Sequence, residues 1–475
     1  MTSSSCPPTV SLPYLVLVSS VAAVGGFLFG YDISLISGAI IFLQQEWSLT
    51  PFWVGVVTGS AILGCPFGAL AGVYLADRWG RNKSLILSAF LFLVSGIGTA
   101  LPFGLLDFSW WRFVGGLGVG LASTVSPMYI AEISPAHLRG RMVILNQLAI
   151  VVGLTLSVYV TYLLSFGGHW RWMFATEILP SLLLGIGLFF VPESPRWLAL
   201  RGRCSEAVKT LTRINGRERA TAEIEVINAE IGEEKGGWRE LLQQGVRRAL
   251  VIGVVLMVFS QINGVNMILI YAPTLFMEAG VTNAPDAILN SVYLTSWITF
   301  CTVVAFWLTA RFGRRPILIV GPLGMGLGQA IMFCKFTYGL PALASLAGMF
   351  LATGAFTLSL APLSWVILSE MFPNRVRGMA MSIATTAMFT ASYLTTNLFP
   401  MVLDFFKRTY GSPGATFLIF STVCALCSAF VWRFLPETKD KSLEEIGTYW
   451  LRFGGRPAAK PSGRPDTTEI SDTVP

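Results

Sequence analysis

Asp32 and Arg112 are ionisable residues embedded in stretches that are otherwise apolar. A charge at bilayer depth is costly unless it is paired, so residues of this kind point to the handling of ions or protons. Desolvation favours the neutral form of a carboxyl, and a neighbouring cation favours its charged form. An acid poised between the two can take up a proton on one side of a membrane and release it on the other. A permanently ionised structural pair is the alternative reading.

A second set of charges occurs twice. Asp77-Arg78-Trp79-Gly80-Arg81 is echoed by Arg311-Phe312-Gly313-Arg314-Arg315, Glu132 with Arg139-Gly140 by Glu370 with Arg377-Gly378, and Pro192-Glu193 by Pro436-Glu437. The copies lie about 235–245 positions apart, as in a duplicated membrane unit whose two halves enclose a solute path. An arginine fork matches a carboxylate at a helix end through two hydrogen bonds. Asp77, Arg81, Glu132, Arg139 and Glu193 are therefore expected to clamp the cytoplasmic ends of the first half. Arg311, Arg314, Glu370, Arg377 and Glu437 are expected to do so in the second. Such bonds would hold an outward-facing state and break when the inner side opens; plain topology anchors are the alternative.

The elements that must position these residues are membrane helices. The chain has 475 residues, 53% of them hydrophobic and 12% charged, against about 25% charged in an ordinary soluble domain. Lipid suits such a composition, with ~20 apolar residues needed per crossing. Hydropathy predicts twelve spans, over 12–40, 51–75, 84–106, 109–131, 141–164 and 172–191, then 248–277, 286–310, 315–338, 342–369, 379–403 and 414–435. Arg and Lys crowd the loops after the even-numbered spans, which places those loops and both termini in the cytoplasm of a multi-pass cell-membrane protein. Lys407 and Arg408 are exceptions on the opposite side. The net charge of +7 thus reflects topology, and no basic stripe interleaved with aromatics suggests a nucleic-acid partner.

The organisation read from this pattern is a six-helix bundle over 12–191, a cytoplasmic helical linker over 192–247, a second bundle over 248–435 and a cytoplasmic tail over 436–475. Residues 205–211 and 220–231 have the periodicity of short amphipathic helices. The tail is rich in Pro, Gly, Ser and Thr and is expected to be disordered. The first apolar run is too long for a cleavable signal. Cys424 and Cys427 have the spacing of a redox or zinc pair, but no second pair or nearby histidine completes a site. Neither a metal nor another cofactor is expected. Gly115, Gly116, Gly118 and Gly120 lack the spacing of a nucleotide loop and read as small residues that let membrane helices approach. No nucleophile–base pair emerges, so an enzyme is not expected.

Six stretches together, Gly25 to Gly38, Asp77 to Arg81, Ser126 to Glu132, Pro192 to Trp197, Arg311 to Arg315 and Pro436 to Lys439, make the sequence resemble the sugar porter family of the major facilitator superfamily over residues 12–447. The resemblance implies an all-α membrane protein with the twelve-helix major facilitator fold, two six-helix halves and a cytoplasmic helical insert. It implies transport of a sugar, polyol or sugar-like solute by alternating access. Asp32 and Arg112 match the acid and arginine partner of proton-coupled members, which implies proton symport with Asp32 as the carrier. Gln147, Gln261, Asn266 and Trp365 match sugar-binding positions, and Tyr271 resembles an outer-gate tyrosine. Amides suit a sugar because they both donate and accept hydrogen bonds; an amide that merely bridges helices is the alternative.

The sequence also departs from the family. Ala310 replaces an acid beside the loop arginine, and Ser260, Ile270, Ile298, Met388 and Phe389 replace polar or aromatic site positions. Thr357 and Ser359-Leu360-Ala361-Pro362 depart from the usual tenth-helix acid and Gly-Pro run. A site that leaves a hydroxyl unpaired rejects the solute that bears it. A solute less hydroxylated than a hexose, a polyol or a modified glycoside is therefore expected. A facilitative uniporter and a non-transporting sensor are the remaining readings, and the short polar tail argues against the sensor.

Overall fold

Long stretches without charge leave lipid as the only medium that can solvate their outer faces, and in lipid each backbone group must be satisfied within a helix. The computed structural model describes residues 11–437 apart from 217–219, 222–223, 226, 228–237, 242 and 373. Among the described residues it is helical, and eleven helices are long and apolar enough to cross a membrane. These are Leu12–Trp47, Pro51–Trp79, Arg81–Ala100, Leu105–Ile133, His137–Ser165 and Trp170–Phe189, followed by Gly245–Ile270, Ala284–Thr309, Arg314–Tyr338, Ala342–Glu370 and Gly414–Phe434. Asn374–Tyr410 supplies a further long helix, the eleventh span in chain order. Thr385, Thr386, Thr390, Ser392, Thr395, Thr396 and Asn397 make it less apolar than the others. It packs against the second and seventh spans.

The pairing of spans repeats between the halves. The first packs on the fifth and the second on the fourth, as the seventh packs on the eleventh and the eighth on the tenth. Across the halves the second meets the eleventh and the fifth meets the eighth, a reciprocal pair that an approximate two-fold axis requires. Glycines permit the closest approaches. A Cβ at Gly116 or Gly120 would run into the carbonyl of Ala61 or Cys65, and one at Gly64 or Gly68 into that of Phe113 or Leu117. Small residues on both spans let the backbones touch, which is how helices associate in lipid without a hydrophobic drive.

Three expected continuous spans are interrupted, and each has one break whose position a proline explains. Proline has no N–H to offer the carbonyl four residues earlier. Pro180 loosens the sixth span between helices Trp170–Ala175 and Ile178–Phe189. Pro362 accompanies the break at Ser359 between Ala342–Leu358 and Leu360–Glu370. Pro273 accompanies the break at Tyr271, between Val265–Ile270 and Ala272–Glu278. A further break at Asn263–Gly264 separates Gln244–Ile262 from Val265–Ile270, with Gly264 at φ +83°.

The segment after the sixth span folds back on the first half. Helix Pro195–Leu200 packs on Cys204–Asn215 through Trp197, Leu198, Ala207 and Leu211, and Ala220 and Ile224 join the same cluster. Trp197 Nε1 donates to the Asp77 carbonyl at 2.9 Å, tying this unit to the end of the second span. A short helix, Trp238–Leu241, lies against the seventh and eleventh spans. Residues 228–231 of the second expected amphipathic helix, and the tail beyond 437, lie outside the described residues. At the end opposite the arginine-rich loops, Lys407 pairs with Glu278 at 2.7 Å and Arg408 with Asp404 at 2.9 Å. The two basic exceptions to the charge rule are therefore neutralised locally.

Candidate functional site

The first and fourth spans bring Asp32 and Arg112 together. The Arg112 Nη1 donates to Asp32 Oδ1 and also to the Asp32 main-chain carbonyl at 3.2 Å. Both residues are at most 1% exposed. Gly115, one turn along from Arg112, makes room for Ser95 of the third span, whose Oγ would lie 2.5 Å from a Cβ there. The guanidinium sits 5.7 Å from the Phe174 ring centroid, under an aromatic cluster of Trp47, Phe108, Trp170 and Phe174. That cluster is fastened by Trp170 Nε1 donating to Glu46, which also pairs with Arg171 at 2.8 Å.

A third ionisable group, not recognised from the sequence, completes this site. Glu177 is fully buried at the Pro180-induced break of the sixth span. It interacts electrostatically with both Asp32 and Arg112. Both Glu177 carboxyl oxygens, and Asp32 Oδ2, have no hydrogen-bond partner among the described residues. One guanidinium is thus paired with Asp32 and acts on Glu177 only through space, in a buried setting where an uncompensated negative charge is costly. The rule that singled out Asp32, an acid inside an apolar span, applies equally to Glu177.

The amides of the seventh span are also joined. Asn266 Nδ2 donates to Gln261 Oε1 at 2.6 Å, and Gln261 Nε2 donates to Ser260 Oγ at 3.2 Å. Ser260 Oγ in turn donates to the Met257 carbonyl at 2.6 Å. Ser260, which stands where the family has a glutamine, accepts from Gln261. Gln147 on the fifth span is partly buried. Trp365 on the tenth is 40% exposed. Ile270, Ile298, Met388 and Phe389 are buried at 5–6% exposure.

Tyr271 is at the junction of the halves. Its hydroxyl bonds to Thr58 Oγ1 at 2.5 Å and donates to the Thr396 carbonyl at 3.1 Å, and its ring packs 5.1 Å from Phe399. Ser37 Oγ donates at 3.0 Å to the Leu269 carbonyl, the group that Pro273 leaves without an N–H. Thr155 Oγ1 meets Thr299 Oγ1 at 2.8 Å and the Thr295 carbonyl at 3.0 Å. These three cross-half contacts all lie toward the end away from the arginine-rich loops.

The charged loop motifs are brought together within each half. Arg81 pairs with Glu132 at 2.8 Å and with Asp77 at 3.4 Å, and Ser194 Oγ donates to the other Glu132 oxygen. Arg314 pairs with Glu370 at 3.2 Å. Glu193 and Glu437 are used as helix caps. Glu193 accepts the backbone N–H of Arg81 at 2.9 Å and of Asn82 at 3.2 Å, at the start of the third span. Glu437 accepts those of Arg314 and Arg315 at 3.0 and 3.1 Å, at the start of the ninth. An anion at a helix N-terminus satisfies orphan donors and the helix dipole together. Gly80 and Gly313 make room, since a Cβ at either would meet the capping carboxylate. Arg139 donates to the Ala131 carbonyl at 3.0 Å and Arg377 to the Phe372 carbonyl at 3.4 Å, while Arg311 lies over Trp307.

Burial raises the Glu193 carboxyl above its ordinary value, against the lowering by the N–H groups of Ser194, Asn82 and Arg81. A raised value means the folded chain holds this proton more tightly than the unfolded one, so the associated stability is present at low pH and lost as pH rises through the folded value. Thermal unfolding in detergent between about pH 5 and about pH 8 should therefore show a fall for the native chain that is smaller in Glu193→Gln. Equal pH dependence of the two would contradict this.

Two pseudo-symmetric helical halves, a buried charge site and amides beside a broken helix define a membrane transporter of the major facilitator type. The chain belongs to the sugar transporter family: residues 18–450 match the family described as sugar (and other) transporter. It is 37% identical to the D-xylose-proton symporter of Escherichia coli (strain K12), over 92% of this chain and 96% of the relative. It is 36% identical to a glucose transport protein of Synechocystis sp., over 94% of this chain and 99% of that protein. The solved inward open conformation of the xylose transporter XylE from E. coli superposes with a TM-score of 0.80 at 35% identity, covering 92% of this chain and 100% of that one.

Proposed function

We propose that the protein is a proton-coupled symporter of a monosaccharide, working by alternating access of a site between the halves 12–191 and 248–435. The observation that carries this reading is the buried Asp32–Arg112 pair with Glu177 beside it. Protonation of Asp32 weakens its hold on Arg112 and frees the first span from the fourth. Asp32 lies little more than one helical turn from Ser37, which holds the Leu269 carbonyl of the seventh span. Movement of the first span is thereby passed to the segment that bears Gln261 and Asn266. Gln147, Gln261, Asn266 and Trp365 bind the sugar, and Tyr271 with Thr58 closes the far end. The loop clamps, each within one half, make the halves move as rigid bodies, with the arginine-rich loops and both termini in the cytoplasm.

The relatives' names support a monosaccharide, one a pentose and one a hexose. Apolar Ile298, Met388 and Phe389 favour the pentose, which has fewer hydroxyls to satisfy. In liposomes with the acid side outside, D-xylose is expected to accumulate against its gradient. Flux without accumulation would leave a uniporter and remove the coupling, and absence of flux for D-xylose and other pentoses, hexoses and polyols at every pH would remove the reading altogether.

A further inference from the structure

The break at Asn263–Gly264 lies between the two amides Gln261 and Asn266, and it is held by an amide pair that the reading above does not use. Asn263 is fully buried. Its Nδ2 donates to the carbonyls of Phe259 at 3.0 Å and Ser260 at 2.7 Å, closing the helix that ends at Ile262. Its Oδ1 accepts the Val265 N–H at 2.9 Å, opening the helix that follows. One side chain thus caps both sides of the interruption, as asparagine does in tight turns.

The Asn263 main-chain carbonyl is the group that the break strands, and no backbone N–H among the described residues reaches it. It is taken by Gln329 Nε2 from the ninth span at 3.3 Å and by the Cys424 thiol from the twelfth at 3.7 Å. Gln329 is fully buried. Its other amide atom, Oε1, has no partner among the described residues, so the bond to the break is what offsets part of the cost of burying this amide. Gly264 fits the same pocket for two reasons. Its φ of +83° disfavours a side chain, and a Cβ would press against the Phe420 ring and lie 2.9 Å from Gln329 Nε2.

We propose that Gln329 is a positioning residue for substrate recognition: with Asn263 it fixes the angle of the broken seventh span, and so sets Gln261 and Asn266 side by side at 2.6 Å. The ninth span, remote in sequence from these amides, thereby tunes sugar affinity through the stranded carbonyl. The inference rests on the sugar-binding reading of Gln261 and Asn266, and the test has one arm that is independent of it.

Gln329→Leu and the nearly equal-length Gln329→Met remove the donor. Without any sugar, backbone amides of residues 264–270 in the purified full chain are expected to exchange with deuterium about tenfold faster in either variant, with the third and fourth spans unchanged. No change in that segment would overturn the proposal, whatever the transported solute. With D-xylose, the dissociation constant should rise about tenfold in Gln329→Met, but by less than about twofold when Asn266→Ala is already present. Additive effects in this cycle would show that Gln329 acts on general stability, and the positioning role would fall. If the native chain binds no D-xylose while the exchange difference appears, the hinge stands and the sugar reading is what fails.

Discussion

An Asp32→Asn variant reconstituted in liposomes is expected to lose accumulation driven by a pH gradient while still exchanging labelled for unlabelled sugar. One proton per sugar and one pH unit supply about 1.4 kcal/mol, which supports about a tenfold concentration ratio. In the variant that ratio should fall to about one. The physical reason is that asparagine keeps the shape and a hydrogen bond to Arg112 but has no proton to give up. The Arg112 contact to the Asp32 main-chain carbonyl at 3.2 Å remains available, so the spans stay together and exchange persists. A variant that accumulates as the native chain does would exclude Asp32 as the carrier, and attention would pass to Glu177.

The largest effect on stability should come from Arg112→Leu. This guanidinium pairs with buried Asp32 and acts electrostatically on buried Glu177, and removing it takes that positive charge from both. Breaking a buried ion pair in this way costs about 3–5 kcal/mol, enough to strip most folded protein from a membrane preparation. Adding Asp32→Asn and Glu177→Gln to Arg112→Leu removes the stranded charges and should restore the yield and the melting temperature in detergent. The triple variant should still fail to accumulate sugar. If yield stays low after neutralising both acids, the arginine matters through packing, for example against Phe174 at 5.7 Å, more than through charge.

Glu177 shows where reading residues one at a time reaches its limit. It is a buried acid in an apolar span, by the same criterion as Asp32. Its proximity to Arg112 depends on how the sixth span is stacked against the first and fourth, and Pro180 bends that span at the point where Glu177 emerges. Ser260 shows a related limit: its hydroxyl holds the Gln261 amide, a role set by a turn of helix and invisible in a comparison of side-chain types. Glu193 and Glu437 were legible as charged helix-end residues, but their use as backbone caps at Gly80-Arg81 and Gly313-Arg314 required the third dimension.

The solvent of this protein, its all-helical character, its duplicated halves and the charged residues at their edges were determined by composition and short-range pattern, because the cost of placing polar groups in lipid is set residue by residue. Partner choice was decided by the tertiary structure: which carboxyl pairs with Arg112, which carbonyl Ser37 takes, and which amide holds the break at Gly264. Between helices in lipid there is little hydrophobic drive, so those choices fall to close packing and to backbone groups that proline and glycine have set free. Such contacts join Asp32 to Arg112 across 80 positions and Asn263 to Gln329 across 66, distances over which no local pattern in the chain carries information.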